Sequence, residues 1–154
     1  MTSVSWKEFE AGAPELARFG AERLHGQVSY LATIRKNKLP RLHPVTPIIG
    51  GGHLFVFMEP TSPKGRDLER GSAYVLHSGV ADNLGSNGEF QLTGYGSRAD
   101  EATARQQAVS FSADAKLEQP EDRHILFEFG VIEALSTVYR DDESVFTRWK
   151  VPAP

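Results

Sequence analysis

The chain has 154 residues, of which 40% are hydrophobic and 24% are charged, and its formal net charge at pH 7 is -3. This composition is typical of a globular protein, and it excludes both a mainly disordered chain and a strongly basic nucleic-acid-binding surface. The absence of cysteine excludes disulfides and thiolate metal sites.

The N-terminal segment predicts no export signal. Met1–Glu10 contains Trp6, Lys7 and Glu8 where a signal peptide needs an uninterrupted apolar run, and nothing later approaches membrane-spanning length. We therefore expect a cytoplasmic protein. The length predicts one domain over residues 1–154, with the N-terminal helical segment 1–26 included.

An amphipathic helix is predicted over Pro14–His25, because Leu16 and Phe19 share one face of it. Pro14 suits the first helical turn, and Gly26 suits the position just after the last. We expect this helix to pack against a sheet or barrel.

Three strands are expected next, over Val28–Arg35, Leu39–Ile49 and His53–Met58. Short turns separate them, so each strand should pair with the one before it as a hairpin. The second strand contains three prolines, which cannot donate to a strand ladder, and it should lie at an edge or contain bulges.

A possible anion-binding turn follows at Thr61–Leu68. Ser62 leads into a short helix that is predicted to end at Arg70, and its first turn carries Lys64 and Arg66. Backbone N–H groups at a helix start lack intrahelical partners and favour negative charge, as do the two cations. The alternative is an exposed helix start with solvated cations.

The second half of the chain combines further strands with one helix. The strands are predicted over Ala73–His77, Glu89–Ser97 and Ile125–Ser136, and Val138–Tyr139 with Val145–Lys150 form one or two further short strands. The helix is predicted over Asp100–Ser112 with Asp100 as its N-cap. Gly94 and Gly96 indicate points where a strand bends or another backbone comes close, and Gly130 indicates a bend.

The elements together predict a mainly β fold, with six to seven antiparallel strands in a small barrel and helices at its periphery. Hairpin-length connections exclude a doubly wound parallel sheet. The chain also lacks a glycine-rich dinucleotide-binding fingerprint after a strand. The histidines show no metal-ligand spacing, and no nucleophile elbow is present, so we expect neither a metal site nor a hydrolase triad.

The order of three segments, SYLATIRKNKLPRLHPVTPI, HLFVFMEPTSPKGRDLERGSAYVLHS and GEFQLTGYGS, resembles the pyridoxamine 5'-phosphate oxidase-like FMN-binding split-barrel superfamily. The resemblance covers about residues 24–98. It implies an antiparallel split β-barrel that forms a homodimer, with FMN or the deazaflavin coenzyme F-420 bound in clefts between the subunits.

The resemblance also implies which residues bind the cofactor. The second strand would run beside the ring, the end of the third strand would approach it, and the turn would bind the phosphate. The matching positions are Arg41, His43, Pro44, Val45, Thr46 and Pro47 for the second strand, Met58 and Glu59 for the third, and Ser62, Lys64 and Arg66 for the turn.

The chain departs from the oxidases themselves at two places. His43 stands where they carry an arginine for the cofactor phosphate, and histidine is a pH-dependent substitute. Their substrate-phosphate residues near the C-terminus have no convincing match. This indicates a substrate other than pyridoxamine phosphate. For a deazaflavin with its longer anionic tail, Lys36, Lys38 and Arg41 are candidate contacts.

Three functions remain open from the sequence. The first is a flavin- or deazaflavin-dependent oxidoreductase that acts on a small substrate, in which the ring does the chemistry and no catalytic side chain is identified. The second is a flavin-binding or carrier protein without efficient turnover. The third is haem binding, for which His43 or His77 would be the candidate ligand.

Overall fold

The protein is described by a computed structural model that covers residues 2–154. Within that range the chain forms nine strands in one curled antiparallel sheet, with four helices around it. This confirms the predicted fold class, a mainly β protein with peripheral helices. None of the helices in residues 2–154 combines the length and apolar character needed to cross a bilayer.

The helices are short and lie at the periphery of the sheet. They are α1 (Trp6–Gly12), α2 (Pro14–Leu24), α3 (Pro63–Glu69) and α4 (Ala102–Asp114). The ends predicted for α2 are confirmed, because Pro14 occupies its first turn and Gly26 adopts a positive φ of 69° just beyond it.

The strands form two halves that share one long strand. They are β1 (Ser29–Ile34), β2 (Pro40–Val45), β3 (Ile48–Gly50), β4 (His53–Met58), β5 (Ala73–Ser78), β6 (Glu89–Arg98), β7 (Ile125–Phe129), β8 (Glu133–Arg140) and β9 (Glu143–Lys150). The main path runs β2-β1-β5-β6-β7-β4-β3, and β8 and β9 extend from β6.

Strand β6 divides the sheet because it changes partner along its length. Residues 89–93 pair with β8, whereas residues 96–98 pair with β7. The chain passes between β7 and β8 at Gly130, whose N–H donates to the Tyr95 carbonyl at 2.8 Å. A Cβ on Gly94 would lie only 1.9 Å from the Gly130 oxygen. The predicted close backbone approach at Gly94 and the bend at Gly130 therefore meet at the same point.

Two predicted strands are each two strands in the structure. The segment Leu39–Ile49 is interrupted at Thr46–Pro47, after which β3 pairs with β4 instead of β1. The segment Ile125–Ser136 is interrupted at Gly130 in the same way. Proline and glycine explain both breaks, since neither favours a continuous ladder. These breaks raise the strand count from the expected six or seven to nine.

The predicted helical segment over residues 1–26 did not separate helix α1 from α2, although the signal for the start of α1 is present. Ser5 accepts from the Glu8 backbone N–H, and the Glu8 carboxylate accepts from the Ser5 N–H at 2.8 Å, which together form a capping box. The predicted N-cap of α4 was also wrong. Glu101 occupies that position without a side-chain cap, and Asp100 pairs with Arg98 instead.

The core has a main cluster and a smaller one. The main cluster fills the curl of the sheet with α1 and α2 against it, and it includes Trp6, Phe9, Leu31, Phe90 and Phe127. The smaller cluster joins α4 to β3, β4 and β7 through Ile48, Phe55, Ala108 and Leu126. Because Ile48 also lines a surface cleft, the smaller cluster supports the candidate site described below.

The variant Gly94→Ala tests the backbone approach at the centre of the sheet. We expect it to lower the free energy of unfolding by about 3 kcal/mol, because the added methyl group overlaps a carbonyl that cannot move without shifting β7 and β8. Urea denaturation followed by tryptophan fluorescence measures this. The control is Gly65→Ala in α3, where the added Cβ would make an ordinary 3.4 Å contact with Phe127. Equal destabilisation of the two variants would contradict the assignment.

Candidate functional site

A cleft of about 610 Å³, here called the large cleft, lies between the β2–β3 segment, the end of β4, the start of α3 and the loop that follows α4. Its apolar lining comes from Pro44, Val45, Ile48, Phe57, Met58, Leu117 and Pro120. Its polar lining comes from Thr46, Glu59, Lys64, Ser112, Glu118, Gln119, Glu121 and His124. The large cleft is thus lined about equally by apolar and polar side chains, so it could hold a ligand that has both a flat apolar part and polar groups.

The break between β2 and β3 forms one wall of the large cleft. Strand β2 ends at the buried Val45, and Thr46 and Pro47 then leave the ladder with β1. The Thr46 N–H makes no backbone hydrogen bond among residues 2–154. The Thr46 N–H therefore lies beside the cleft without an internal acceptor, and an acceptor atom of a ligand could take its hydrogen bond.

Lys64 brings a positive charge to the large cleft. Its Nζ donates to the Ser62 hydroxyl at 2.9 Å, and the Ser62 side chain is buried beneath it. Burial lowers the pKa of the Lys64 amine, and the negative charge of Glu59 opposes this effect only in part. A ligand anion at this amine would stabilise the charged form that burial disfavours.

A charged rim closes another part of the large cleft. Glu59 Oε1 accepts from Arg123 Nη2 at 2.8 Å and from His124 Nε2 at 3.1 Å. The Glu121 backbone N–H donates to His124 Nδ1 at 2.9 Å, which assigns the hydrogen of the neutral ring to Nε2. The rim is thus a connected network in which one carboxylate bonds two side chains of the facing loop.

Arg105 of α4 holds that loop in place. Its two terminal nitrogens donate to the carbonyls of His124 and Glu121 at 2.7 and 2.9 Å. Its guanidinium also stands 5.3 Å from the centre of the Phe57 ring, which lines the cleft. The helix therefore fixes both the loop and one apolar wall.

A second cleft of about 350 Å³, here called the basic cleft, lies beside α3 and the β1–β2 turn. It is lined by Arg35, Lys36, Asn37, Arg41, Pro63, Arg66, Asp67 and Arg70, none of which lines the large cleft. The first turn of α3 separates the two clefts, with Lys64 facing the large one and Arg66 the basic one.

Asp67 is the buried anion beneath the basic cleft. It accepts from Thr33 Oγ1 at 2.8 Å, from Arg41 Nε at 2.7 Å and from Arg70. Burial acts to raise the pKa of Asp67, but the hydrogen bonds from Arg41, Thr33 and Arg70 outweigh it and hold the pKa below its usual range. Asp67 therefore joins β1, β2 and α3 as an ionised, fully bonded carboxylate.

Ten of the eleven positions that match the cofactor site divide between these features, and the eleventh, Pro47, lines neither cleft. Six line the large cleft, namely Pro44, Val45, Thr46, Met58, Glu59 and Lys64. Arg41 and Arg66 line the basic cleft, and Ser62 lies buried under Lys64. His43 is exposed on β2, where its Nδ1 bonds the Pro44 carbonyl at 3.0 Å, and it lines neither cleft. Its cofactor role stays a prediction.

The loop residues of the large cleft had no signal in the sequence. Leu117, His124 and their neighbours reach the cleft only because β7 pairs with β4 and because Arg105 anchors the loop. Phe57 was predicted as part of a buried strand, and strand alternation alone could have placed it on a different face from Val56 and Met58.

The curled sheet, with β6 shared between its two halves and a cleft at the break between β2 and β3, defines a split-barrel fold of the pyridoxamine 5'-phosphate oxidase-like type. No protein-family model matches the chain, and no curated protein matches its sequence. The fold assignment therefore rests on solved structures.

Three of these solved structures show the range of proteins with this fold. A Clostridium acetobutylicum protein related to general stress protein 26 of B. subtilis, of the pyridoxinephosphate oxidase family, is 13% identical with a TM-score of 0.60 over 94% of this chain and 96% of that one. A heme binding protein from Mycobacterium smegmatis is 22% identical with a TM-score of 0.64 over 86% and 56%. HutZ, the heme storage protein from Vibrio cholerae, is 16% identical with a TM-score of 0.57 over 77% and 89%. At these identities the likeness shows the fold alone.

The variant Asp67→Asn tests whether the buried carboxylate holds β1, β2 and α3 together. We expect it to lower the free energy of unfolding by about 3 kcal/mol at pH 7, because two guanidinium groups lose their shared anion. The pKa of Asp67 is lower in the folded state than in the unfolded state, so the ionised carboxylate stabilises the protein when the pH is above the unfolded-state pKa. This stabilisation is lost as the pH falls through the folded-state pKa. The difference from the wild type should therefore shrink in acid.

Thermal and urea unfolding between pH 7 and pH 3 measure this difference. The control is Asp100→Asn, which removes an exposed carboxylate paired with Arg98 and should cost less than about 1 kcal/mol. A pH-independent difference for Asp67→Asn would rule out the electrostatic explanation.

Proposed function

We propose that the chain is an oxidoreductase that binds FMN or a related flavin-type cofactor in the large cleft. The observation that carries the proposal is Lys64, a half-buried amine bonded to Ser62 in a cleft that also has apolar side chains such as Val45 and Met58. A planar apolar ring matches the walls, and a phosphate matches the amine. The likeness of the fold to a member of the pyridoxinephosphate oxidase family supports the same assignment.

Each wall has a distinct role in this proposal. Val45 and Met58 would contact the ring, and the Thr46 N–H would donate to a ring acceptor. Ser62 would orient Lys64 toward the phosphate. Arg41 and Arg66 would add positive potential from the other side of the α3 turn. When bound, a flavin ring supplies hydride or electron transfer, and the protein orients it and excludes water.

The proposal includes a homodimer with the cofactor in a cleft between subunits. Tyr30 and Leu42 are exposed at 45% and 68%, and cross-strand pairing puts Tyr30 beside Pro44 and Leu42 beside Ala32 on one face of β1 and β2. Pro44 also lines the large cleft. A second copy packed on this apolar face would therefore border the cofactor cleft and cover exposed apolar surface.

A deazaflavin such as coenzyme F-420 remains the alternative cofactor. Its longer anionic tail would need cations beyond Lys64, and Lys36 and Arg41 line the basic cleft while Lys38 lines a hollow beside it. A carrier without efficient turnover would use the same cofactor contacts. The substrate of an oxidoreductase would be a small molecule that reaches the open side of the ring.

The variant Lys64→Ala tests the proposed phosphate contact. Titration of the wild type with FMN, followed by flavin fluorescence, should give saturable binding, and Lys64→Ala should weaken it by about 2 kcal/mol, or roughly 30-fold. Lys150→Ala, at an exposed lysine of β9 paired with Glu133, is the matched control and should bind like the wild type. A wild-type protein that binds neither FMN nor a deazaflavin would overturn the proposal.

Haem binding is the second candidate, favoured by His77 and by two neighbours whose names state haem binding or storage. His77 Nδ1 bonds the Ser78 carbonyl at 2.6 Å, which leaves the Nε2 lone pair available to a metal. His43 has the same arrangement with Pro44. His77 pairs with Tyr30 and His43 with Leu31, so the two rings project from opposite faces of the sheet and cannot bind one iron.

If haem binding is the function, His77→Ala should weaken haem binding by about tenfold or more and change the Soret band, since the axial ligand is lost. His43→Ala is the matched control on the opposite face and should leave the spectrum unchanged. Absorbance titration with hemin measures both variants. Identical spectra for the wild type and His77→Ala would exclude His77 as the ligand.

A further inference from the structure

The basic cleft concentrates positive charge on a chain that is acidic overall. Its lining contains five cationic side chains, from Arg35, Lys36, Arg41, Arg66 and Arg70, against one carboxylate, whereas the chain has a formal net charge of -3. These side chains come from three places in the sequence, the β1–β2 turn, β2 and α3. Because like charges repel, five cationic side chains in one cleft destabilise the folded protein unless a nearby anion offsets their charge.

Asp67 offsets only part of this charge. Its two oxygens are occupied by Arg41, Arg70 and Thr33, and only 1% of the residue is exposed. Arg41 uses Nε for this bond and keeps its two terminal nitrogens for other acceptors. The side chains of Arg35, Lys36 and Arg66 form no ion pair with any carboxylate in residues 2–154.

The basic cleft is separate from the proposed cofactor cleft, since no residue lines both. The first turn of α3 stands between them. The mouth of the basic cleft presents guanidinium groups, which bind the paired oxygens of phosphates and carboxylates through two parallel hydrogen bonds. Its volume of about 350 Å³ suits a compact group of this kind rather than a whole cofactor.

We propose that the basic cleft is a second anion-binding site, which takes a ligand group with at least two negative charges, such as a diphosphate. Arg66 and Arg35, which have no carboxylate partner, bind the anion directly. Asp67 holds Arg41 and Arg70 in place beneath the bound anion. The group belongs either to a free small anion or to the anionic end of the ligand in the large cleft. The inference stands on the basic cleft alone and does not require that a flavin binds.

Titration of the full-length chain with inorganic pyrophosphate, by calorimetry at low ionic strength, tests the proposal. The wild type should bind one pyrophosphate per chain, and Arg66→Gln and Arg35→Gln should each raise the dissociation constant about tenfold. Both residues are exposed, so these variants should fold, and their melting temperatures check this. Added salt should weaken the binding, because the contacts are charged.

A control variant tests whether the anion binds in the basic cleft. Arg18→Gln removes one positive charge from the exposed side of α2, away from the residues that line the basic cleft, and it should bind pyrophosphate within about twofold of the wild type. The proposal is overturned if the wild type shows no saturable binding, if Arg66→Gln binds like the wild type, or if Arg18→Gln weakens binding as much as Arg66→Gln does.

A competition experiment tests whether the anion is a free molecule or part of the ligand in the large cleft. The pyrophosphate titration is repeated with saturating FMN and with the deazaflavin coenzyme F-420. Competition by the tailed deazaflavin alone would show that the site receives the anionic end of the ligand in the large cleft. Undisturbed pyrophosphate binding would show a site for a free anion. If neither cofactor binds, the result counts against the proposed function, and the pyrophosphate result still stands.

Discussion

The buried carboxylate of Asp67 is the interaction on which the arrangement of both clefts depends. It accepts from Thr33 on β1, Arg41 on β2 and Arg70 at the end of α3, and so it ties α3 to the paired strands β1 and β2. A buried anion is stable only when such partners surround it. This requirement fixes how α3 sits against the β1–β2 hairpin, and therefore which side each cation of α3 faces.

That geometry separates what the sequence presents as one anion-binding turn. Lys64 and Arg66 are two residues apart in the chain, yet Lys64 bonds Ser62 beside the large cleft while Arg66 faces the basic cleft. Residues two apart on a helix project in different directions, so a short helix can serve two sites at once. Separate clefts allow the chain to hold a planar ring and an additional anionic group without the two competing for the same amine.

The same sheet presents features of flavin and of haem proteins, and they lie in different places. The cleft beside Lys64 combines apolar side chains with one half-buried cation, and we propose it as the site of a ring that carries a phosphate. His77 lies on the face of β5 that neighbours the exposed Tyr30, with Nε2 available. A split barrel thus provides several surfaces for planar cofactors, and fold alone does not choose among them. The charge at Lys64 favours the flavin.

The sequence by itself determined most of the local elements and part of the site. Local sequence patterns located β1, β4, β5 and β6, proline and glycine marked both ends of α2, and Gly94 and Gly130 marked the meeting point of the two halves of the sheet. These features depend on local backbone preferences, which a single sequence displays. Six of the eleven positions matched to the cofactor site also line one cleft, because they lie at or just after the ends of two strands and in the first turn of α3.

Only the tertiary structure decided the rest. The loop at His124 and the bonds of Asp67 to Thr33 and Arg41 depend on contacts between residues 26 or more positions apart, which local patterns do not encode. The resemblance placed Arg41 and Arg66 with Lys64 at the cofactor, and only the fold shows that the two arginines line a different cleft from Lys64. Arg41 lies there because its Nε donates to the buried Asp67 carboxylate, a partner 26 residues away in the chain.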